Sequence, residues 1–290
     1  MRNRVLKKIA DNFRIDKELF LMLGDLGVFQ SRDAINIDDY RCFNYGIMEQ
    51  SMVGFASGIS MANAYPIIYS ITPFIIERCY EQIKLDFGYN KSKGLIITAG
   101  GSFDYNKLGP THYCPNDISL MVKAKCREIY LPWNELKAEE FIGKIFEKKS
   151  FSYLRLSSEE INKENMPRDI SSFNIKNQEN YLILGLGPDS YLLAKHLNYE
   201  LNFSISKIDT KLVDIIFNMI KNGINLTIIA GFNLDFFLNL LQNKKQKKDE
   251  KTYKNGSLKL IYSMDTKYDS AEKKITHLTS NLYFNEFILK

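Results

Sequence analysis

Residues Arg41–Ala64 read RCFNYGIMEQSMVGFASGISMANA, a polar turn at Asn44-Tyr45-Gly46 running into a stretch from Ile47 to Ala64 that is apolar or small nearly all round. Met48, Met52, Phe55 and Ile59 recur at helical spacing and predict one stripe of a helix. Gly54 and Gly58, with Ala56 and Ser57 beside them, let another backbone approach closely. A helix with so little polar surface is expected to lie buried, against a partner chain or another domain. Glu49 sits in its first turn. With no cation next to it in sequence, a buried carboxylate is penalised by desolvation and must be either paired or held for proton exchange. A first-turn Glu also suits the helix macrodipole, so a purely structural role stays open.

Outward from this helix, short apolar runs alternate with helical patterns, which predicts an α/β fold of two mostly parallel-sheet domains with helices on both faces. Strands are expected at Leu19–Leu23, Tyr40–Asn44, Ile67–Ile71, Gly94–Ala99, Glu128–Leu131 and Phe151–Leu156. Helices are expected at Val5–Phe13, Ile47–Ala64, Pro73–Phe87, Asp117–Ala124 and Ala138–Lys148. From Glu159 to Asn180 the chain turns polar around Pro167, which divides it into domains at 1–165 and 175–290. The second repeats the pattern, with strands at Tyr181–Leu184, Phe203–Lys207 and Asn225–Ala230, helices at Ser190–Asn198, Val213–Lys221 and Leu234–Gln242, and one or two more strands or a closing helix from Leu258–Tyr262 and Tyr283–Leu289. Gly185-Leu186-Gly187 is a tight strand-to-helix turn and not a dinucleotide fingerprint, because Ser190 stands where the third glycine would.

Composition narrows the function class. The 290 residues are 45% hydrophobic and 25% charged, an ordinary globular balance that excludes disorder and coiled coil. The net charge of +5 comes partly from Lys244-Lys245-Gln246-Lys247-Lys248, which lacks interleaved aromatics and reads as a solvated loop, not a nucleic-acid footprint. Cys42, Cys79, Cys114 and Cys126 have no zinc spacing, no secretory segment follows Met1, and no apolar run is long enough to span a bilayer; a soluble cytoplasmic protein with reduced thiols and no metal site of its own is expected.

The Gly46-Ile47-Met48-Glu49-Gln50 motif is followed by Phe74, by Tyr80-Glu81-Gln82-Ile83 and by Gly109-Pro110-Thr111-His112. This order and spacing, over about Leu19–Ser157, resembles the pyrimidine-binding domain of the transketolase family of thiamine diphosphate enzymes. The second half looks like that family's C-terminal domain. The resemblance implies that Glu49 hydrogen-bonds N1′ of the cofactor's aminopyrimidine and so promotes loss of the thiazolium C2 proton. It implies that Phe74 stacks on the aminopyrimidine, that Asp25 in Gly24-Asp25-Leu26-Gly27 lies near the cofactor and the subunit interface, and that His112 reaches the substrate beside C2. Alternative readings are a core Phe for Phe74 and a turn residue for Asp25; Asp117 is expected to cap its helix, and His196 and His277 to lie on the surface.

The family holds the pyrophosphate and Mg²⁺ with a Gly-Asp-Gly motif in a preceding domain. That motif is missing, and with Met1 where it stands no such domain is expected to precede. The resemblance therefore implies one half of a split enzyme: the C-terminal subunit of a thiamine diphosphate transketolase that moves a two-carbon ketol unit to a sugar, with Mg²⁺ held by an N-terminal partner subunit, in a heterotetramer. A deoxyxylulose-phosphate-synthase-like enzyme, a 2-oxoacid dehydrogenase β-subunit-like enzyme and a non-catalytic partner subunit are the alternatives. Relatives acting on sugar phosphates carry polar or cationic residues where this chain has Leu108, Gly100 and Ser158. The expected acceptor is thus other than a simple pentose phosphate, for example a nucleotide sugar, with Arg155 available to a different anion.

Overall fold

The computed structural model describes residues 1–28, 39–102, 104–174, 180–237, 240, 256–263 and 282–287. In chain order the first half comprises α1 (Arg2–Ile15), β1 (Leu19–Leu23), β2 (Cys42–Asn44), α2 (Glu49–Met61), β3 (Tyr65–Ile71), α3 (Thr72–Ile76) and α4 (Tyr80–Gln82), which continues as a π-helix at Ile83–Tyr89. Then come β4 (Gly94–Ala99), α5 (Asp117–Lys123), β5 (Glu128–Tyr130), α6 (Glu135–Lys148) and β6 (Phe151–Leu156). The second half holds β7 (Arg168–Asp169), β8 (Tyr181–Leu186), α7 (Asp189–His196), β9 (Phe203–Ile205), β10 (Lys207–Ile208), α8 (Thr210–Lys221), β11 (Asn225–Ala230), β12 (Leu258–Ser263) and β13 (Leu282–Phe287).

A seven-stranded sheet runs β10-β5-β6-β4-β3-β1-β2 and a six-stranded sheet runs β13-β12-β11-β8-β9-β7. Every pairing is parallel except β10 on β5 and β13 on β12. The fold is mixed α/β with mostly parallel sheets, as the alternating pattern predicts. Both faces of each sheet are buried, so the central strands are continuous apolar runs rather than alternating ones. In the first sheet Leu21, Ile67, Leu95, Ile97 and Leu154 pack under α1 and α6, while Met22, Ile68, Ile96 and Tyr153 face α2, α3 and α5. The two sheets share one core, in which Met52 and Ile118 belong to the same cluster as Leu184 and Ile228. Trp133, fully buried, donates its indole N–H to the Ile205 carbonyl at 3.2 Å across that seam.

Several expected elements are corrected. The helix expected at Pro73–Phe87 is interrupted: the amides of Glu77 and Arg78 both donate to the Pro73 carbonyl at 3.1 Å, and the wide turn ends α3 before α4 begins. The helix expected at Ile47–Ala64 is shorter, and its first residue is Glu49. The strand expected at Phe203–Lys207 breaks at Ser206, whose carbonyl accepts from Leu131 N–H at 2.8 Å, so that β10 leaves the second sheet and pairs with β5 of the first. Helix α6 starts three residues earlier than expected because Asn134 caps it, accepting from Lys137 N–H at 3.0 Å. The glycine turn is tight as expected: Gly187 has φ +75°, and a Cβ at Gly185 would stand 2.6 Å from Ser190 Oγ. Lys244–Lys248, positions 238, 239, 241 and 242 of the helix expected at Leu234–Gln242, and His277 lie outside the described residues. No described helix is long and apolar enough to cross a membrane.

Candidate active site at the carboxyl end of the first sheet

From β1 the chain moves to the sheet edge at β2, whereas from β3 it moves the other way to β4, so connections diverge between neighbouring strands β1 and β3. In open parallel sheets such a divergence opens a crevice at the carboxyl ends of the strands. Asp25 follows β1, Glu49 follows β2, Phe74 follows β3 and His112 lies in the connection after β4. One end of one sheet therefore carries all four residues singled out in the sequence.

Three of them join a continuous chain of contacts, with Arg78 as the link. Glu49 is 2% exposed, and its Oε2 accepts from Arg78 Nη1 at 2.7 Å. The Arg78 guanidinium carbon lies 4.4 Å from the centre of the Phe74 ring. The Phe74 ring meets the His112 imidazole edge-on, with centroids 5.2 Å apart and an interplanar angle of 69°. Gln50 Nε2 donates to the Arg78 carbonyl at 3.1 Å, and His112 Nδ1 lies 2.8 Å from Thr111 Oγ1. The carboxylate is paired, and its cation comes from 29 positions downstream. Sequence reasoning passed over Arg78, which lies beyond the end of α3 where the wide turn at Pro73 redirects the chain. The π-helix that follows is of the kind found often at functional sites. Gly88 lets it sit close to α5, since a Cβ there would stand 2.4 Å from the Ala124 carbonyl oxygen.

Asp25 holds the turn after β1 with φ 62°, its amide donating to Asn44 Oδ1 at 3.0 Å and its carboxylate accepting from Asn44 Nδ2 at 3.4 Å. It is exposed, and it pins β1 to β2 instead of joining the chain of Glu49, Arg78, Phe74 and His112.

The positions that depart from the family pattern have local reasons. A Cβ at Gly100, where φ is +78°, would stand 2.2 Å from the Tyr105 ring, which occupies the space a side chain would need. Ser158 is tied to Asp104, its Oγ donating to Oδ1 at 2.7 Å and its amide to Oδ2 at 2.8 Å. Leu108 is 62% exposed. Arg155 is not free for an anion, which corrects the expectation: it is buried, donates from Nη2 to Asp189 Oδ2 at 2.5 Å, and places Nε 3.5 Å from Asp117 Oδ2. The N-cap of α5 is Asn116 and Asp117 is its first helical residue, a second correction; Asp117 is fully buried and accepts from the Tyr153 hydroxyl at 2.8 Å. Burial pushes the carboxyls of Asp117 and Asp189 up, and the Arg155 charge opposes it.

Among the described residues no cluster of His, Cys, Asp and Glu could hold a metal ion. The four thiols are free, and burial pushes Cys42 up to about 11 and Cys79 up to about 12, the wrong direction for a nucleophilic thiolate. His196 is exposed on α7. The outer face of α2 is open: Met48 is 59% and Phe55 45% exposed beside buried Met52, and a Cβ on Gly54 or Gly58 would meet nothing within 4 Å. The expected single buried stripe is thus split between the core and the surface.

Residues 3–163 match the transketolase pyrimidine-binding domain family. An uncharacterised 33.6 kDa protein in the fasciation locus of Rhodococcoides fascians is 28% identical over 173 residues, 60% of this chain and 55% of that protein. A subunit of the apulose-4-phosphate transketolase of Actinobacillus succinogenes is 29% identical over 121 residues, 42% of this chain and 39% of that protein. The matches thus span about half, or less, of the length of these relatives. Among solved structures, a split-gene transketolase chain from an inactive β4 tetramer superposes with a TM-score of 0.65 at 17% identity, covering 91% of this chain and 89% of that one.

Proposed function

The chain belongs to the transketolase pyrimidine-binding domain family, and from that premise we propose that it is the C-terminal subunit of a two-subunit, thiamine diphosphate-dependent transketolase. The observation that carries this reading is the buried Glu49 carboxylate at the carboxyl end of the sheet, in one chain of contacts with Phe74 and His112. The fit is chemical: a buried acceptor, an aromatic face and an imidazole suit one flat, nitrogen-bearing ring and a reacting carbonyl beside it. Bound thiamine diphosphate supplies the nucleophilic carbon for ketol transfer. Glu49 holds the proton at N1′, Phe74 supports the ring, and His112 binds or protonates the substrate oxygen. Arg78 must give up part of its hold on Glu49 for N1′ to approach. Asp25 is assigned to the cofactor-proximal turn, held by Asn44.

Mg²⁺ and the pyrophosphate are assigned to an N-terminal-type partner subunit, and the open face of α2 to an interface in a heterotetramer. Units 1–165 and 175–290 serve as the pyrimidine-binding and C-terminal domains. The acceptor is assigned to sugars other than simple pentose phosphates, because neither Gly100 nor Ser158 supplies a cationic side chain: Tyr105 fills the space over Gly100, and the Ser158 hydroxyl is held by the Asp104 carboxylate.

The test is reconstitution with an N-terminal-type subunit. Alone, the chain is expected to bind thiamine diphosphate and Mg²⁺ more weakly than micromolar; tight binding by calorimetry would overturn the split site. In the reconstituted pair, Glu49→Gln is expected to retain the fold and lose about 10²- to 10⁴-fold in ketol transfer. Undiminished turnover would make the carboxylate a structural group.

A further inference from the structure

At the opposite end of the first sheet lies a cavity of about 650 Å³ whose cationic lining is Lys91, Lys93, Lys125, Arg127, Lys148 and Lys149. It sits where three connections enter β4, β5 and β6, remote from the Glu49 end by the full length of those strands. No carboxylate lies among its described lining residues. At the chain's overall composition, 39 Lys and Arg against 34 Asp and Glu, a random surface of that size would hold the two signs in near balance. The neighbouring cavity shows what balance looks like: there Lys207 meets both Glu128 at 2.6 Å and Asp209 at 3.0 Å.

Two of the six cations are spoken for. Lys148 reaches Glu128 at 2.6 Å, and Lys149 reaches Asp16 and Glu18 at 2.7 and 2.6 Å. Lys91, Lys93, Lys125 and Arg127 are exposed and have no carboxylate partner among the described residues. The ordinary explanation is compensation of helix dipoles, since the π-helix, α5 and α6 all end here. Each helix end supplies about half a negative charge, so three of them do not balance four unpaired cations. The shape is a cavity of ligand size and not an extended stripe. Tyr89, on its lining, is 77% exposed and offers a free ring face.

We propose that this cavity binds a nucleoside di- or triphosphate, the phosphates among Lys93, Lys125 and Arg127 and the base on Tyr89. The inference does not depend on the reading of the Glu49 site, and its test uses neither partner nor sugar. Calorimetric titration of the full chain with ATP and with inorganic tripolyphosphate is expected to show saturable binding of both, tighter for ATP and weakening steeply as salt is raised. Lys93→Glu combined with Arg127→Glu is expected to weaken both by about tenfold or more, since removing even one charge-assisted hydrogen bond has an effect of that size. Tyr89→Ala is expected to bring ATP down to the tripolyphosphate value, and Glu49→Gln to change neither. Lys125→Asn, which keeps a left-handed backbone, gives a milder second reading if the double variant misfolds. No saturable binding at low salt, unchanged binding in folded variants, insensitivity of ATP to Tyr89→Ala, or RNA displacing ATP from the same residues would each overturn the proposal.

Discussion

Arg155 and Arg78, both in the first half, each pair with a buried carboxylate, and their surroundings make opposite devices of them. Arg155 is 3% exposed and sits between Asp117 and Asp189, joining β6 to α5 and to α7 of the second half. Its Nη1 has no hydrogen-bond partner, nor does Asp117 Oδ1, so the cluster is incompletely satisfied as well as dry. The Arg78 side chain is 40% exposed, and its pair with Glu49 opens to solvent on one side. A buried pair cannot lose a member without stranding a charge, whereas a half-open pair can exchange its partner for water or a ligand at little cost. The first holds the two halves together; the second is placed where a ligand can displace it.

Arg155→Met should break that comparison hardest. It strands two buried carboxyls and is expected to cost about 3–5 kcal/mol at neutral pH, measured by denaturant unfolding. Both carboxyls already have raised folded-state pKa values, so their ionised forms lose stability as pH rises through them. The penalty should therefore shrink in acid, and a penalty independent of pH would show that the cluster carries no charge. Arg78→Met should do the reverse, costing about 1 kcal/mol in stability, less at high salt, while changing cofactor affinity of the reconstituted pair by a larger factor. Equal losses in stability and affinity would erase the distinction between the two arginines.

The smallest effect concerns Glu128, which takes Lys207 of the second half and Lys148 at once. Burial works against its ionisation, but hydrogen bonds from Lys148, Lys207 and Tyr130 outweigh it and hold the carboxyl down at about 2. Its contribution is present above the ordinary value of 4.5 and is lost as pH falls from there toward about 2. Both lysines that hold it reach solvent, Lys148 most of all, so screening keeps the worth to about 1 kcal/mol, not the full shift. Glu128→Gln should lower the neutral plateau by about 1 kcal/mol and flatten the acid limb, so that the two profiles converge as pH falls toward about 2; a parallel curve would remove the latch.

The strands were legible because burial on both faces writes them as unbroken runs such as Leu95-Ile96-Ile97, bounded by turn residues. Glu49, Phe74 and His112 were legible because their motifs fall at the ends of those runs. Arg78 was not, because a wide turn at Pro73 redirects the chain in a way that periodicity does not register. The reading of Arg155 failed for another reason. A lone Arg on a strand looks available until the second half supplies Asp189.

What the sequence determined by itself was the element pattern, the parallel α/β class and the residues worth watching, all set by local periodicity and by side-chain chemistry. Folding of the whole chain sets which carboxylate each arginine meets, carries Lys207–Ile208 across to the first sheet, and gathers cations from three separate connections around one cavity. Contacts across long separations depend on how strands are ordered and how loops return, and that order is fixed by the packing of the whole core, not by any stretch of the chain alone.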